Sequence, residues 1–467
     1  MFYLGKGEKI MKLYFNVNDK PKFGQILVFA LQQLLAIMAA TIAVPRIVGN
    51  GMSMAAALFG AGVGTIVYLL FTKFKSPVFL GSSFAFLGSM SAAFAGAVTV
   101  SAGYLGLLIG AGLAGLVYVV LAILVKACGT KWVNKLMPAV VIGPTVAIIG
   151  LSLAGNAVGD LLKGNTAEGL KSYTTYIGLL CGLVTLAVTI ICSVYGKKMI
   201  KMIPFVMGIL AGYVLATIFT VIGKVANIQE LVIIDFDKFK SIEWVPSFTF
   251  IEAFKGIKDF SSSKDFFTYL GTIAVAYVPV AFVVFAEHIA DHKNLSTIIE
   301  KDLLEDPGLD KTLLGDGVGS IAGAIFGGCP NTTYGESVGC VAISGNASVV
   351  TILTTAIMAI VISFFGPFST FLSTIPSCVM GGVCISLYGF IAVSGLKMIQ
   401  DVDLGDNRNL FVVAIILIAG VGGMTLNIGK VTITEVACAL ILGILANFLC
   451  NIKKDKKEET EETKELK

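Results

Sequence analysis

The stretch that decides the fold reads PVFLGSSFAF and covers residues 77–86. A second stretch, PNTTYGE at residues 330–336, follows the same pattern: a proline, then β-branched, small or aromatic residues, then the start of an apolar run. Such residues favour extended backbone, so each stretch predicts a short strand followed by a half-helix, beginning near Phe84 and Glu336. Extended backbone at membrane depth must be buried in protein or line a cavity. The two strands are therefore expected to pair antiparallel and to direct their half-helix N-termini at one point. The alternative is two glycine-rich loops at the membrane edges.

The chain around these stretches is too apolar for a soluble protein. Hydrophobic residues make up 56% of its 467 residues, charged residues 14%, and the mean hydropathy is +0.88. Soluble domains carry roughly 25% charged residues. The sequence predicts an all-α polytopic membrane protein with about fourteen spans. The predicted runs are 24–46, 51–72, 79–98, 103–127, 134–154, 174–194, 200–223, 268–290, 312–328, 335–347, 348–370, 376–397, 409–429 and 433–452.

Charge placement predicts the topology and excludes some partners. An even number of spans puts both termini on one side, which also holds Lys73, Lys75, Lys197 and Lys201, so the N- and C-termini are expected in the cytoplasm. The alternating Lys/Glu stretch 453–467 is interpreted as a solvated, disordered tail. The net charge of +4 is scattered, which argues against nucleic acid as a partner. Two histidines and nine cysteines without a CxxC pair predict no metal site.

Internal echoes suggest a repeat. SSFA at 82–85 is matched by TTYG at 332–335, and PAVVIG at 138–143 by PSCVMG at 376–381. Each echo pairs a run with the seventh run after it. Because an odd number of spans inverts the second half, the pattern predicts two inverted seven-span repeats, as in many secondary transporters.

Two carboxylates are the candidate chemical groups. Glu287 follows an apolar run and Glu336 stands at the second half-helix start. A carboxylate within the bilayer costs roughly 2.5–3.5 kcal/mol and usually marks an ion or substrate path. Two in one cavity repel each other, which favours proton uptake by one of them. Asp291 shares the helix face of Glu287 at i,i+4. The alternative is that Glu287 merely marks a helix end at the membrane surface.

Several motifs resemble those of the nucleobase–ascorbate transporter family, which includes the bacterial uracil permeases and the xanthine permeases. They are AEH at 286–288, KDLL at 301–304, DPGL at 306–309, PNTTYGE at 330–336, GSSFAF at 81–86 and PSCVMGG at 376–382. The resemblance runs from Leu31 to about Ile428. It implies fourteen spans in two inverted repeats, with a core domain that moves against a gate domain. The implied core comprises 1–128 and 268–370, the implied gate comprises 129–267 and 371–452, and 453–467 is the charged cytoplasmic tail.

The resemblance also implies a function. The chain would be a secondary active transporter, not an enzyme, in the inner membrane of the cell, importing a nucleobase and above all uracil. The coupling ion would be H+, and the resemblance implies no other cofactor. The protein would be in contact with membrane lipid, and the resemblance leaves open whether it forms a homodimer. Glu287 and Glu336 would hydrogen-bond the base, Phe84 and Gly335 would offer backbone N–H groups, Ser83 and Tyr334 would lie nearby, and Tyr388 would close over the ring. Proton coupling would fall to Glu336, Glu287 and Asp291.

This sequence departs from the family pattern at several positions. Gln33 stands where many members have histidine, Asp291 where a uracil permease has histidine, Ser337 where asparagine is usual, and Ser344-Gly345 where Thr-Arg or Thr-Gly is found. These changes concern the proton relay and the substrate more than the fold. A purine (xanthine or urate) permease is the main alternative, although Glu336 favours uracil. An anion exchanger of the same fold would favour a basic residue at a half-helix start, and a membrane-embedded enzyme would need a nucleophile–base pair or a metal set. A channel would lack saturable uptake coupled to a gradient.

Overall fold

A computed structural model of the chain describes residues 13–129, 132, 138–165, 174–197, 199–260, 262–400, 402–428 and 431–465. Helices dominate the described residues, as the composition predicts. In chain order they are α1 (Phe23–Val48), α2 (Met54–Phe71), α3 (Leu87–Ala95), α4 (Val100–Cys128), α5 (Ala139–Ser152), α6 (Ala154–Leu161), α7 (Thr174–Tyr195), α8 (Met199–Met202), α9 (Pro204–Ala226), α10 (Thr249–Gly256), α11 (Ser263–Ile299), α12 (Leu309–Gly327), α13 (Gly335–Ser344), α14 (Val349–Ser363), α15 (Gly366–Thr374), α16 (Ser377–Met398), α17 (Asn407–Val421) and α18 (Glu435–Glu465). The strands are β1 (Leu80–Ser82), β2 (Asn331–Thr333), β3 (Leu426–Ile428) and β4 (Val431–Ile433).

The chain is an integral membrane protein by the length and composition of its helices. Within the described part of the chain, nine helical segments are apolar and long enough to cross a membrane alone. The pair α14 and α15, bent by 82° at its break, would be a tenth. The described residues contain fewer membrane-spanning helices than the fourteen predicted runs. One reason is that the half-helices α3 and α13 are too short to span a bilayer. The count of fourteen spans and the inverted repeat remain predictions.

The predicted pairing of two strands is confirmed. β1 pairs with β2 antiparallel, with Leu80 opposite Thr333, Gly81 opposite Thr332 and Ser82 opposite Asn331. After β1 a 3-10 turn, Phe84–Phe86, leads into α3, and after β2 the chain enters α13 at Gly335. The two interrupted stretches of the sequence therefore meet in space, and the alternative of two separate loops is wrong.

Two expectations from the sequence and one of its alternatives need correction, and one predicted run begins outside the described residues. The run 409–429 is not one helix, because α17 ends at Val421 before Gly422 and Gly423, the latter at φ +66°, and the chain continues into the hairpin β3–β4. Glu287 does not mark a helix end, since α11 continues to Ile299. The tail is helical rather than disordered up to Glu465; its sequence places opposite charges four residues apart, a spacing that favours helix. The start of the fifth run, 134–137, lies outside the described residues.

The helices pack in two groups. In the first, α12 packs against α2 and α4, α11 against α4, and α14 against α1 and α2. In the second, α16 packs against α5, α6 and α7, α9 packs against α7, and α17 against α5 and α18. Short helix α10 lies within 129–267, the range that the resemblance assigns to the gate. It packs nevertheless against α4 of the first group. Glycines allow the closest approaches: a Cβ added at Gly60 of α2 would collide with the backbone carbonyl of Gly323 of α12. Close approach at small residues is usual where membrane helices pack tightly.

Candidate functional site

The backbone of the two paired strands is satisfied by protein groups. Ser83 N donates to Pro330 O (2.9 Å) and Tyr334 N donates to Phe79 O (3.2 Å), which extends the pairing beyond the strands. The Tyr334 hydroxyl donates to the carbonyl of Ser82 (2.7 Å). Lipid could not offer such partners, so these bonds allow extended backbone to lie among membrane-spanning helices.

Both half-helices present their first N–H groups without a side-chain cap. Within the described residues, neither Ser83, which precedes the turn at Phe84, nor Tyr334, which precedes α13, caps its helix with a side chain. The first N–H groups of a helix have no intrahelical acceptor, and the helix dipole adds partial positive charge there. The backbone N–H groups near Phe84 and Gly335 are therefore suited to carbonyl or anionic oxygens of a ligand.

A small cavity lies where these two helix starts meet. Six of the seven residues predicted to bind substrate line this cavity: Ser83, Phe84, Glu287, Tyr334, Gly335 and Glu336. The structure thus brings together residues from runs that are far apart in the sequence.

The two carboxylates approach the cavity from different elements. Glu287 lies within α11, and Glu336 is the second residue of α13. Both are partly buried and both line the cavity wall. Both belong to the second predicted repeat, whereas Ser83 and Phe84 come from the first. The arrangement offers two hydrogen-bond acceptors beside two sets of backbone donors.

Tyr388, the seventh predicted residue, stands just outside the cavity lining. It lies on α16, is buried, and its ring meets that of Phe84 edge-on, with centroids 5.7 Å apart at an interplanar angle of 76°. Tyr388, which belongs to the second helix group, therefore contacts Phe84 of the cavity wall.

Asp291 is close to the site but bonded to a strand. Thr333 Oγ1 donates to Asp291 Oδ2 (3.0 Å). A Cβ added at Gly335 would lie 3.7 Å from Asp291 Oδ1, so this carboxylate sits near the start of α13. Asp291 does not belong to the lining that includes Glu287 one helical turn earlier. Its predicted part in proton coupling stays a prediction.

The two histidines point away from the cavity into a second polar network. His288 Nδ1 lies 2.7 Å from Asp316 Oδ2, and His288 Nε2 lies 3.0 Å from Thr312 Oγ1. His292 Nε2 lies 2.6 Å from the Tyr68 hydroxyl. Sequence reasoning missed Asp316, although its signal was present: an acid between two glycines within the apolar run 312–328. Among the described residues no cluster of three or more His, Cys, Asp or Glu side chains could hold a metal ion.

Five lining residues were not predicted as site residues. Ala85, Thr332 and Thr333 belong to the two interrupted stretches, whereas the two from the second helix group had no signal. Ile149 of α5 and Ile391 of α16 complete the lining from the second helix group. An isoleucine in an apolar span looks like any other, so only the fold identifies these two as wall residues.

Comparisons with known proteins agree with this architecture. A family model described as "Permease family" matches residues 24–429. The chain is 39% identical to the uracil permease of Bacillus caldolyticus over 437 residues, covering 93% of this chain and 94% of that protein. It is 38% identical to the uracil permease of Bacillus subtilis (strain 168) over 455 residues, covering 97% and 98%. Among solved structures, the transmembrane domain of the cyanobacterial bicarbonate transporter BicA matches with a TM-score of 0.59 at 15% identity, covering 93% of this chain and all of that one. That last likeness concerns the fold alone.

Proposed function

This chain belongs to the permease family that contains the uracil permeases, and we propose from that premise that it imports uracil by proton symport. It is an integral membrane permease and not an enzyme, and a small-molecule nucleobase is its class of substrate. The choice of uracil, the coupling to protons and the mode of movement are the parts that the proposal adds.

The observation that carries the proposal is the meeting of Glu287, Glu336 and two uncapped helix starts in one cavity. Uracil presents ring N–H donors beside carbonyl acceptors along one continuous edge. The carboxylate of Glu287 accepts from one ring N–H group in a charge-assisted hydrogen bond, and a carboxyl oxygen of Glu336, protonated in the loaded site, accepts from the other. The backbone N–H groups at Phe84 and Gly335 donate to the ring carbonyls. Tyr388, in contact with Phe84, closes over the ring from the other helix group.

Proton coupling follows from the cost of moving carboxylates through a dry barrier. A charged carboxylate in a low-dielectric site is costly, and two in one cavity also repel. Glu336 takes up a proton from outside, which reduces the charge of the loaded site before it moves, and the proton leaves on the cytoplasmic side. Glu287 and Asp291 are the neighbouring carboxylates that share in this coupling.

Alternating access is supported by the two helix groups. The paired strands and both carboxylates belong to the first group, the core, while Ile149, Ile391 and Tyr388 belong to the second, the gate. A shift of the core against the gate exposes the cavity first to one side and then to the other. The protein works in the inner membrane of the cell with both termini in the cytoplasm, and a homodimer is compatible with this movement.

A purine permease of the same family is the second candidate. The likeness to a bicarbonate transporter supports the fold, whereas an acid at residue 336 speaks against anion exchange, because a carboxylate at the helix start would repel an anion.

The decisive experiment measures ligand binding and proton coupling separately. Purified protein should melt at a higher temperature with uracil than with xanthine, since a ligand at about 100 times its Kd stabilises the folded state by about 2.7 kcal/mol. In liposomes, uptake of labelled uracil should depend on an inward proton gradient and stop with a protonophore. Glu336→Gln should lose the pH dependence of uptake, whereas Glu305→Gln, at an exposed residue between α11 and α12, should retain it. Uptake that ignores the gradient would overturn proton symport, and a preference for xanthine would overturn the choice of uracil.

A further inference from the structure

The cavity has one polar wall and one apolar wall. Its polar residues and both helix starts come from the core, and the gate contributes Ile149 and Ile391. Ile149 is 3% exposed. The two isoleucines lie on α5 and α16, which pack directly against each other. Both isoleucines therefore line the cavity from the gate, whereas Glu287 and Glu336 line it from the core.

The apolar wall is held rigidly in place. A Cβ added at Gly150, the residue after Ile149, would collide with the carbonyl oxygen of Tyr388 on α16. A Cβ added at Gly395 would lie 2.5 Å from the carbonyl oxygen of Gly143 on α5. Glycines thus bring the two helix backbones into contact on both sides of the wall. Isoleucine is itself stiff at χ1 in a helix, so neither the backbones nor the side chains can move away easily.

The polar wall fixes which edge of a bound base faces the isoleucines. The ring N–H and C=O groups of uracil run from N1 through C4 and face Glu287, Glu336 and the helix N-termini, as the proposed function requires. The remaining edge, C5–H and C6–H, is apolar and points at Ile149 and Ile391. In xanthine the imidazole ring is fused at the position of this same edge. A second ring would therefore project into the isoleucine wall.

We propose that Ile149 and Ile391 are specificity-determining residues that exclude purines and bulky 5-substituted uracils by closing the cavity at the C5–C6 edge of the base. This inference rests on the proposed function, because it assumes that the polar edge of a nucleobase faces the carboxylates. It predicts that selectivity for ring size resides in the gate, while affinity for the polar edge resides in the core.

The test replaces the wall and measures selectivity. Ile149→Ala, Ile391→Ala and the double variant are assayed for binding of uracil, xanthine and 5-bromouracil by thermal stabilisation and by competition with labelled uracil. Removing methylene groups from a pocket changes discrimination by about 10-fold or more. We therefore expect the affinity of xanthine and 5-bromouracil relative to uracil to rise by at least that factor, most in the double variant.

Two controls keep the test decisive. Ile148→Ala removes the same side chain from the neighbouring position, where Ile148 is buried and packs against Gly420 of α17 instead of the cavity, and selectivity should stay unchanged. Ile149→Val and Ile391→Val remove one methylene each and should raise the relative affinity of xanthine and 5-bromouracil by a smaller factor. These variants replace the alanine variants if an alanine variant does not fold. If uracil binds to the variants and xanthine remains excluded as before, the inference is wrong and the proposed function stands. If the unaltered protein does not bind uracil at all, both are overturned.

Discussion

Gln33 of α1 donates through Nε2 to Ser337 Oγ of α13 at 2.5 Å, so the first helix holds the residue that follows Glu336. The same Ser337 hydroxyl oxygen accepts from the backbone N of Phe79 at 2.9 Å, just before β1. Gln33 and Ser337 are two positions at which the resemblance implies a departure from the family pattern, and the structure places them in contact. One hydroxyl therefore ties together α1, the approach to β1 and the half-helix that carries Glu336.

Ser337→Ala should weaken both the fold and the site. The substitution removes the acceptor of Phe79 N and the shorter of the two bonds of Gln33 Nε2, which also donates to the carbonyl oxygen of Ser337 (3.4 Å). A buried group left unsatisfied costs about 1–3 kcal/mol. We expect a lower melting temperature and weaker uracil binding, measured on purified protein. Ser344→Ala is the control, because that hydroxyl donates to Val341 O and accepts from Asn346 N, both at the end of the same helix that is farther from Glu336. If Ser337→Ala and the unaltered protein had the same melting temperature and the same uracil affinity, the Ser337 hydroxyl would stabilise neither the fold nor the site.

Gly64→Ala tests the packing that supports β2. A Cβ at Gly64 of α2 would lie 2.5 Å from Asn331 Nδ2 and 2.7 Å from the carbonyl oxygen of Gly319. Asn331 belongs to β2 and donates through Nδ2 to the carbonyl oxygen of Gly60 (3.0 Å). Overpacking of this kind costs about 1–3 kcal/mol, and the displaced strand should reduce uracil affinity as well.

The control for this glycine is Gly112→Ala on α4, where an added Cβ meets nothing within 4 Å. Alanine there should leave melting and uptake unchanged or slightly improved, since alanine favours helix over glycine. Should both glycine variants behave alike, the close contact at Asn331 would have no role in holding β2.

The sequence predicts the strands and the polar half of the site for physical reasons. Proline followed by β-branched and aromatic residues favours extended backbone, and Glu336 in an apolar setting requires a cavity. Asp316, like Glu336, is an acid within an apolar run, and it could have been predicted as a buried polar residue on the same grounds. The helix end at Val421 was foreseeable from Gly423, whose φ of +66° is a conformation that other residues rarely adopt.

The apolar half of the site could not be predicted in this way. Ile149 and Ile391 differ from neighbouring apolar residues only in that the fold turns them towards the cavity. Ile148, one residue before Ile149, packs against Gly420 of α17 instead. Hydrophobic periodicity carries no signal in spans that are apolar on all sides. The bond between Gln33 and Ser337 likewise depends on tertiary packing between residues 304 positions apart.

Asp316→Ala should disturb the site without touching the cavity lining. The side chain of Asp316 is buried and lies 2.7 Å from His288 Nδ1, and His288 is the residue next to Glu287 on α11. Loss of the partner leaves a buried imidazole nitrogen unsatisfied, at a cost of about 1–3 kcal/mol, and releases a constraint on the orientation of α11. We expect a lower melting temperature together with weaker uracil binding.

Asp310→Ala, in the first turn of the same helix α12, separates this effect from a general loss of negative charge. An acid near a helix N-terminus contributes about 0.3–1 kcal/mol, so this control should lower stability slightly and leave uracil affinity intact. A normal uracil affinity in Asp316→Ala would show that the His288 network does not position Glu287.

Tyr388 tests the contact between core and gate beside the cavity. Its ring meets Phe84 edge-on at 5.7 Å, an arrangement worth about 0.5–1.5 kcal/mol beyond the buried area. Tyr388→Phe keeps the ring and should transport uracil nearly as the unaltered protein does, whereas Tyr388→Ala should weaken apparent affinity by about three- to tenfold. Phe390→Ala is the matched control, since Phe390 on the same helix also pairs with an aromatic ring, that of Phe205, but is 55% exposed on the outer surface. Its loss should leave the affinity of uptake unchanged. If Tyr388→Ala and Phe390→Ala changed uracil uptake equally, the ring contact at Phe84 would be ordinary packing and Tyr388 would have no part in closing the site.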